Sequence, residues 1–320
     1  MFVYAVRRFN LFVITMMIIT MVGFSILRLD PLSPWSQLDF WQGWQSYLGE
    51  LIHLNFGISK SGVPVIEDLK IVFPATLELC IIAFILALLI GIPLGTLAGM
   101  RQGKWQDLSI SFTAMAGQSA PVFWVALLLI MAFSLNYELF PVSGRYDLLY
   151  EIPNVTGFAI IDAFIMKSEY RTHALQSVLD HLILPGFVLA LSPTMQVIGL
   201  MRASVAEVMT KNYIRAARIK GLSAYEIITE HVLRNALPPI VPKVGVQLSS
   251  MLTLAIITET IFNWPGIGRW LLDALGNQDY VAIQAGVIVI ATLVLSANIL
   301  SDLVGAMINP LVRKEWYAKQ

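Results

Sequence analysis

Long apolar runs separated by polar segments dominate the chain. Six runs are long and apolar enough for a helix to cross a membrane, which takes about 20 residues. The predicted spans are residues 9–28, 74–100, 108–134, 182–201, 240–262 and 284–308. Three longer polar segments alternate with short connections, and they are 29–73, 135–181 and 263–283. This pattern predicts an all-α integral membrane protein with six transmembrane helices.

Composition agrees with a membrane protein. Of the 320 residues, 57% are hydrophobic and only 13% are charged, and the mean hydropathy is +0.72, whereas soluble domains carry about 25% charged residues. The net charge of zero gives no indication of nucleic-acid binding. A single cysteine, Cys80, leaves no disulfide or cysteine metal site within the chain. The apolar run after Arg7 and Arg8 is too long for a secretory signal, so we expect it to be retained as the first span.

The distribution of Lys and Arg predicts the orientation, because these residues accumulate on the cytoplasmic side of a membrane. With the N-terminus inside, fourteen of the 21 Lys and Arg residues fall in inside segments and seven in outside segments. We therefore expect both termini, and the segment between the fourth and fifth spans, to be cytoplasmic.

That segment, residues 213–239, reads YIRAARIKGLSAYEIITEHVLRNALPP. Gly221 follows a basic helical turn, at the position where glycine often ends a helix. Ser223 and Glu226 have the spacing of a capping box, and Pro238 cannot continue a helix. The sequence predicts helix, glycine turn, helix and stop. A helix this short is marginal alone in water, so it packs against a partner or rests on the lipid surface.

The same segment resembles the cytoplasmic loop of permease subunits of bacterial ATP-binding-cassette (ABC) importers, in their dipeptide/oligopeptide/nickel branch. The motifs TETIFNWPGIG (258–268), DY (279–280) and NPLVR (309–313) resemble this branch in order and spacing. Within the branch, the chain is most similar to the permeases of antimicrobial-peptide uptake systems. It departs from the family pattern at Leu254, Asn309 and Leu311, which puts the substrate path and the tail contacts in question.

The resemblance implies a type I ABC importer permease (MetI-like) fold. An N-terminal helix and a long periplasmic loop (1–73) would precede a core of five helices (74–308), and a cytoplasmic tail (309–320) would follow. The core would contain a coupling loop, 209–239, docked on a separate ATPase subunit. The implied ATPase-coupling residues are Ala216, Ala217, Gly221, Leu222, His231 and Asn235.

The implied function is ATP-driven movement of peptides, including cationic antimicrobial peptides, across the bacterial inner membrane by alternating access. The expected partners are a second homologous permease, two cytoplasmic ATP-binding subunits, a periplasmic substrate-binding protein and membrane lipid. No phosphate-binding loop or metal motif occurs in the chain, so we expect no enzymatic activity, cofactor or metal site here. A polyamine or metal-chelate cargo, and ion-coupled secondary transport, stay as alternatives.

Two further groups of residues are candidates for specific roles. Gly91, Gly95 and Gly99 repeat at four-residue spacing, which permits close approach of a neighbouring helix. Glu78, Glu259 and Asp302 lie near span ends, and a charge within a membrane is costly. They are therefore expected either to line the substrate path or to form interfacial and interhelical contacts. An intramembrane enzyme would need a paired nucleophile and base, which the spans do not show.

Overall fold

A computed structural model describes residues 2–30 and 33–308. The predicted tail 309–320, with Asn309 and Leu311, lies outside the described residues. Within them the regular structure is helical, apart from one isolated bridge between Ile58 and Pro64.

The larger helices alternate with short ones along the chain. The helices on the N-terminal side are α1 (Phe2–Leu27), α2 (Phe40–Ile52), α3 (Val65–Met100), α4 (Trp105–Ser119), α5 (Val122–Leu129) and α6 (Ala159–Ile165). The remaining α-helices are α7 (Arg171–Met209), α8 (Asn212–Ile219), α9 (Ala224–Glu226), α10 (Arg234–Ala236), α11 (Val241–Ile261), α12 (Ile267–Gly276) and α13 (Tyr280–Ile308). Two π-helical segments, Ile130–Asn136 and Ile227–Leu233, continue α5 and join α9 to α10, and Leu148–Tyr150 is a 3-10 turn.

Among the described residues, five helices are long and apolar enough to cross a membrane, namely α1, α3, α7, α11 and α13. The third predicted span, 108–134, is not straight. It consists of α4 and the 122–136 segment, which meet at an angle of 100°, and it provides a sixth span when the two are taken together. Pro121 explains the bend, because a proline disfavours helical geometry at the residue before it. Ala120 is accordingly extended, with φ −74° and ψ 127°.

Several helices extend beyond the predicted spans. α3 begins at Val65 instead of residue 74, and α7 covers Arg171–Met209 instead of 182–201. The added turns are polar on one side and bury apolar residues on the other: Ala174 and Val178 of α7 pack in one cluster with Ala163 of α6. Tertiary packing therefore lengthens these helices past the stretch that hydropathy detects.

The polar segment 29–73 is an ordered cap and not a loop alone. Its helix α2 buries Trp44 and Tyr47 against Phe24 of α1. The Tyr47 hydroxyl donates a hydrogen bond to the Gln284 side-chain oxygen on α13. Burial raises the pKa of Tyr47, so this hydroxyl stays protonated as a donor. α2 is thereby held against both α1 and α13.

Side-chain contacts show which segments share a side of the helical bundle. Arg8 at the start of α1 pairs with Asp302 at the end of α13, with 2.7 Å between Nη2 and Oδ2. Ser301 donates to the Pro242 carbonyl at the start of α11, at 3.1 Å. Ile240, just before α11, belongs to the same buried cluster as the 209–239 segment. We call this the loop side. Contacts such as Lys60 N–H to Asp279, at 2.7 Å, mark the opposite side.

Candidate functional site

The loop helices, residues 212–236, have the predicted helix–turn–helix form. α8 ends in a tight turn in which the Leu222 N–H donates to the Ala217 carbonyl at 3.3 Å. Gly221 has a φ of +81°, a conformation that glycine adopts without the cost that a side chain adds. The predicted glycine turn is confirmed.

The predicted capping box is also present at the start of α9. The Glu226 N–H donates to Ser223 Oγ at 3.2 Å, and the Ser223 N–H donates to Glu226 Oε2 at 2.7 Å. Hydrogen bonding from the side chain and the backbone N–H of Ser223 lowers the pKa of the Glu226 carboxyl, because it favours the charged form. The helix then continues to Ala236 through the π-helical turns, and Asn235 Nδ2 donates to the His231 carbonyl at 2.6 Å.

One face of the loop helices is buried in the chain itself. Its apolar residues form a cluster with the loop-side end of α7. The buried members on the loop helices are Ile214, Ala217, Ile227, Val232 and Ala236, and those on α7 are Val197, Met201, Val205 and Val208. The loop helices are thus packed on α7 by their own apolar face.

The other face of the loop helices is exposed and carries large apolar side chains. Ile219 is 87% exposed and Tyr225 is 75% exposed. Arg215, Arg218 and Lys220 are exposed around them. An exposed apolar and basic surface of this kind is a candidate interface for a partner protein. Ile219 and Tyr225 are not among the predicted coupling residues, although large apolar residues in a short polar helix were an available signal.

The six residues implied for ATPase coupling are divided between these two faces. Ala216, Gly221 and Asn235 are exposed, and Leu222 and His231 are half-buried. Ala217 is only 5% exposed and belongs to the cluster against α7. Ala217 therefore positions the loop from inside this chain, and a partner can touch the loop only through its exposed residues.

Gly91, Gly95 and Gly99 lie where α3 meets α7. A Cβ at Gly91 would lie 2.7 Å from Val197 Cγ1, and one at Gly95 would lie 2.5 Å from Met201 Cβ. A Cβ at Gly99 would lie 2.7 Å from the Arg202 carbonyl oxygen. Real Cβ atoms do not approach other heavy atoms so closely, so the geometry requires glycine at all three positions.

Asp107 and Arg202 form an ion pair on the loop side that was not predicted from the sequence. Arg202 of α7 donates to Asp107 of α4 through Nε and also through Nη2, at 2.8 Å to Oδ2. Asp107 also accepts from the Gly103 N–H at 2.9 Å and from Ser111 Oγ at 3.2 Å. No local pattern joins two residues 95 positions apart, so only the fold brings them together.

Glu78 is buried and fully paired. Arg145, from the 135–181 segment, donates to Glu78 Oε2 from Nε at 3.0 Å and from Nη2 at 2.5 Å. The Ile160 N–H donates to the other carboxylate oxygen at 2.8 Å. Arg145 also donates to the Gly157 carbonyl at 2.7 Å and lies over the Trp264 ring, 5.8 Å from its centroid. This arrangement fastens the 135–181 segment to α3.

Glu259 is the centre of a second buried polar group. It accepts from Thr76 Oγ1 at 2.5 Å and from the N–H groups of Gly268 and Arg269 at 2.8 and 3.1 Å. Thr76 in turn accepts from the Ile267 N–H at 2.8 Å. The carboxylate therefore holds the start of α12 against α3 and α11.

Asp302 and Leu254 complete the set of predicted positions. Asp302 pairs with Arg8, and beside this pair Ser249 donates to Asn298 Oδ1 at 3.0 Å. Leu254 is half-buried and packs against the central apolar cluster. Asp302 thus makes an interhelical contact between α1 and α13.

Comparison with known proteins identifies the family. The family of the "Binding-protein-dependent transport system inner membrane component" matches residues 91–314. The chain belongs to this family. It is 50% identical over 99% of both chains to the "Putrescine export system permease protein SapB" of Escherichia coli K12, and equally to the "Peptide transport system permease protein SapB" of Salmonella typhimurium LT2. It is 41% identical to the "Dipeptide transport system permease protein DppB" of E. coli K12, over 85% of this chain and 81% of the relative.

These findings confirm the family that the motifs indicated. The chain is a multi-pass permease of the inner membrane with the type I, MetI-like fold, in the dipeptide/oligopeptide branch of ABC transporters. Members of such families work with ATPase and substrate-binding partners.

Proposed function

We propose that this chain is one of two homologous permease subunits of an ATP-driven transporter that moves peptides across the bacterial inner membrane by alternating access. Two cytoplasmic ATPase subunits and a periplasmic substrate-binding protein complete the assembly. ATP hydrolysis takes place on the partner subunits, and this chain converts their movement into a change of access to the pathway.

The distribution of basic residues between the two sides of the bundle supports a cytoplasmic loop side. Among the described residues, eleven Lys and Arg lie in segments on the loop side and seven in segments on the opposite side. The loop side is therefore cytoplasmic by the positive-inside rule. α1 begins and α13 ends on the loop side, which supports cytoplasmic termini.

The exposed face of the loop helices carries the proposal. Ile219 and Tyr225 project from a segment whose other face is buried on α7. In a cytoplasmic segment, such side chains are covered by a partner, and the basic residues around them favour an acidic rim on that partner. The ATPase subunit fits this position, because a push on the loop helices is passed directly to α7.

For the cargo, the names of the relatives support two chemistries. Peptide transport stands in the names of the Salmonella SapB and E. coli DppB relatives, and putrescine export in that of the E. coli K12 SapB relative. We propose a peptide cargo, in keeping with the branch as a whole. Glu78 and Glu259 are occupied by internal donors, so we assign them to the framework and not to the cargo path.

The decisive experiment is reconstitution of the whole transporter in proteoliposomes. The expected result is accumulation of a labelled peptide that needs the binding protein and hydrolysable ATP and that persists when an uncoupler collapses the ion gradient. Labelled putrescine in the same vesicles tests the polyamine cargo, and transport abolished by the uncoupler alone would indicate a secondary transporter. An Ile219→Asp variant should lose the ATPase subunits during purification, whereas Ile52→Asp, at an exposed apolar residue on the opposite side, should retain them.

A further inference from the structure

The Asp107–Arg202 ion pair joins two elements that have different roles. Asp107 lies in the first turn of α4, and its side chain is only 1% exposed. It accepts four hydrogen bonds, two of them from the planar guanidinium of Arg202. A two-point contact to a carboxylate fixes direction as well as distance. Removing Arg202 would leave the buried Asp107 charge without its partner, which is strongly destabilising, whereas neutralising Asp107 leaves unpaired only Arg202, whose side chain is 35% exposed.

The same turn of α7 also holds the loop helices. Ser204 Oγ donates to the Ala236 carbonyl at the end of α10, at 2.7 Å. Val205 is buried in the cluster that contains Ile214 and Ile227. Residues 202–205 therefore contact α4 through Arg202 and the loop helices through Ser204 and Val205. Less than one helical turn separates the two contacts.

α4 is one arm of the bent span. It meets the 122–136 segment at 100° across Ala120 and Pro121, and α5 packs on a separate cluster with Leu184 and Phe262. Because the helix is interrupted at Ala120 and Pro121, α4 can rotate relative to the 122–136 segment. α4 has its ionic attachment at its loop-side end, where Arg202 holds Asp107.

We propose that Arg202 and Asp107 are positioning residues that pass the movement of the loop helices to α4. This inference rests on the proposed function, in which a partner moves the loop helices. When the loop helices and the loop-side end of α7 shift together, the guanidinium carries the α4 arm with them, and the bent span changes angle at Pro121. The pair belongs to the transmission path of the transporter, and its loss separates ATP hydrolysis from transport.

The experiment uses the complete transporter in proteoliposomes, with labelled peptide as cargo. Asp107→Asn keeps the shape of the side chain and removes its charge. We expect peptide-stimulated ATP hydrolysis to stay within about twofold of wild type, while transport per ATP falls at least about fivefold, the lower end of typical coupling between sites. Arg202→Lys keeps the charge but lacks the two-point contact, and we expect it to fall between wild type and Asp107→Asn.

Glu207→Gln is the matched control. Glu207 lies on the same helix and pairs with Lys211, the residue before α8, at 3.0 Å, but this pair is exposed and includes no residue of α4. Like Asp107→Asn, the Glu207→Gln substitution removes one negative charge, and it should leave transport per ATP unchanged.

The proposal is overturned if Asp107→Asn has normal transport per ATP, or if hydrolysis and transport fall in proportion, because a static brace would produce that result. If Asp107→Asn does not assemble, the transport per ATP of the Arg202→Lys transporter tests the proposal instead. Failure of the proposed function is seen separately, since the wild-type transporter would then show no ATP-dependent peptide transport before any variant is compared. If the wild type transports putrescine instead, the ratio is measured with that cargo.

Discussion

The close contact of α3 and α7 at Gly95 gives the most direct test of the fold. A Cβ at this position would lie 2.5 Å from Met201 Cβ and 2.7 Å from the Ile198 carbonyl oxygen. A side chain can rotate away, but the carbonyl belongs to the backbone of α7. Any residue larger than glycine must therefore separate α3 and α7, the two longest helices in the described part of the chain.

The expected magnitude follows from the size of the added group. Overpacking lowers the free energy of unfolding by about 1–3 kcal/mol, whereas replacing glycine with alanine in a helix raises it by up to about 1 kcal/mol. Gly95→Ala should thus be destabilised by up to about 2 kcal/mol. Gly95→Leu adds three more carbon atoms at the same contact, so we expect about 3 kcal/mol or more, which corresponds to a fall of about 6 °C in the melting midpoint.

The assay is thermal unfolding of the purified protein in detergent, with the yield of monodisperse protein as a second measurement. Gly199→Ala is the matched control, because it lies on α7 of the same helix pair and a Cβ there would meet no heavy atom within 4 Å. Its melting midpoint should be unchanged or higher, whereas that of Gly95→Ala should be lower. A Gly95→Leu protein with a wild-type midpoint and normal transport would refute the close approach of α3 and α7.

Three further predictions concern the loop helices and the orientation. Gly221→Asp should leave insertion intact but weaken co-purification of the ATPase subunits and abolish transport, since a side chain at a φ of +81° is strained and the acid changes a basic surface; normal transport would contradict this. The start of α9 should lose protection from hydrogen exchange as the pH falls through the lowered pKa of Glu226. The folded loop favours the carboxylate, so the carboxylate's contribution to stability is complete above the unfolded-state pKa and disappears when Glu226 is protonated. Glu226→Gln should remove this pH dependence. A reporter that works only in the cytoplasm should be active when it is fused after Lys104 and inactive when it is fused after Gly62. The reverse pattern would overturn the proposed orientation.

Hydropathy located the spans because each must place about 20 apolar residues in lipid. It did not locate their ends. The turns of α3 from Val65 onwards bury Leu69 and Val72 against Ile267 and Ala285, and this packing sustains a helix in a stretch that is too polar to be recognised as a span. The same reasoning explains why the 29–73 and 135–181 segments, predicted as loops, contain α2 and α6.

Local stereochemistry made the loop helices the best-predicted part of the candidate site. The glycine turn at Gly221 and the capping box of Ser223 and Glu226 each depend on residues a few positions apart. The burial of Ala217 could not be predicted in this way, because it depends on where α7 lies. Cross-linking to the ATPase should accordingly be attempted from Ala216 or Ile219, which are exposed, and not from Ala217.

The buried acids show what membrane energetics can and cannot indicate. A charge near a span is costly, so Glu78 and Glu259 needed partners, but the partners come from distant segments that only the fold brings near. Both acids fasten polar segments to spans away from the loop side, where nothing in the proposed mechanism must move them. Asp107 instead links the bent span to the turn of α7 that carries the loop helices. Removing the first two carboxylates should therefore lower the yield of folded protein, whereas removing the Asp107 charge should lower transport per ATP, and this difference separates framework from transmission.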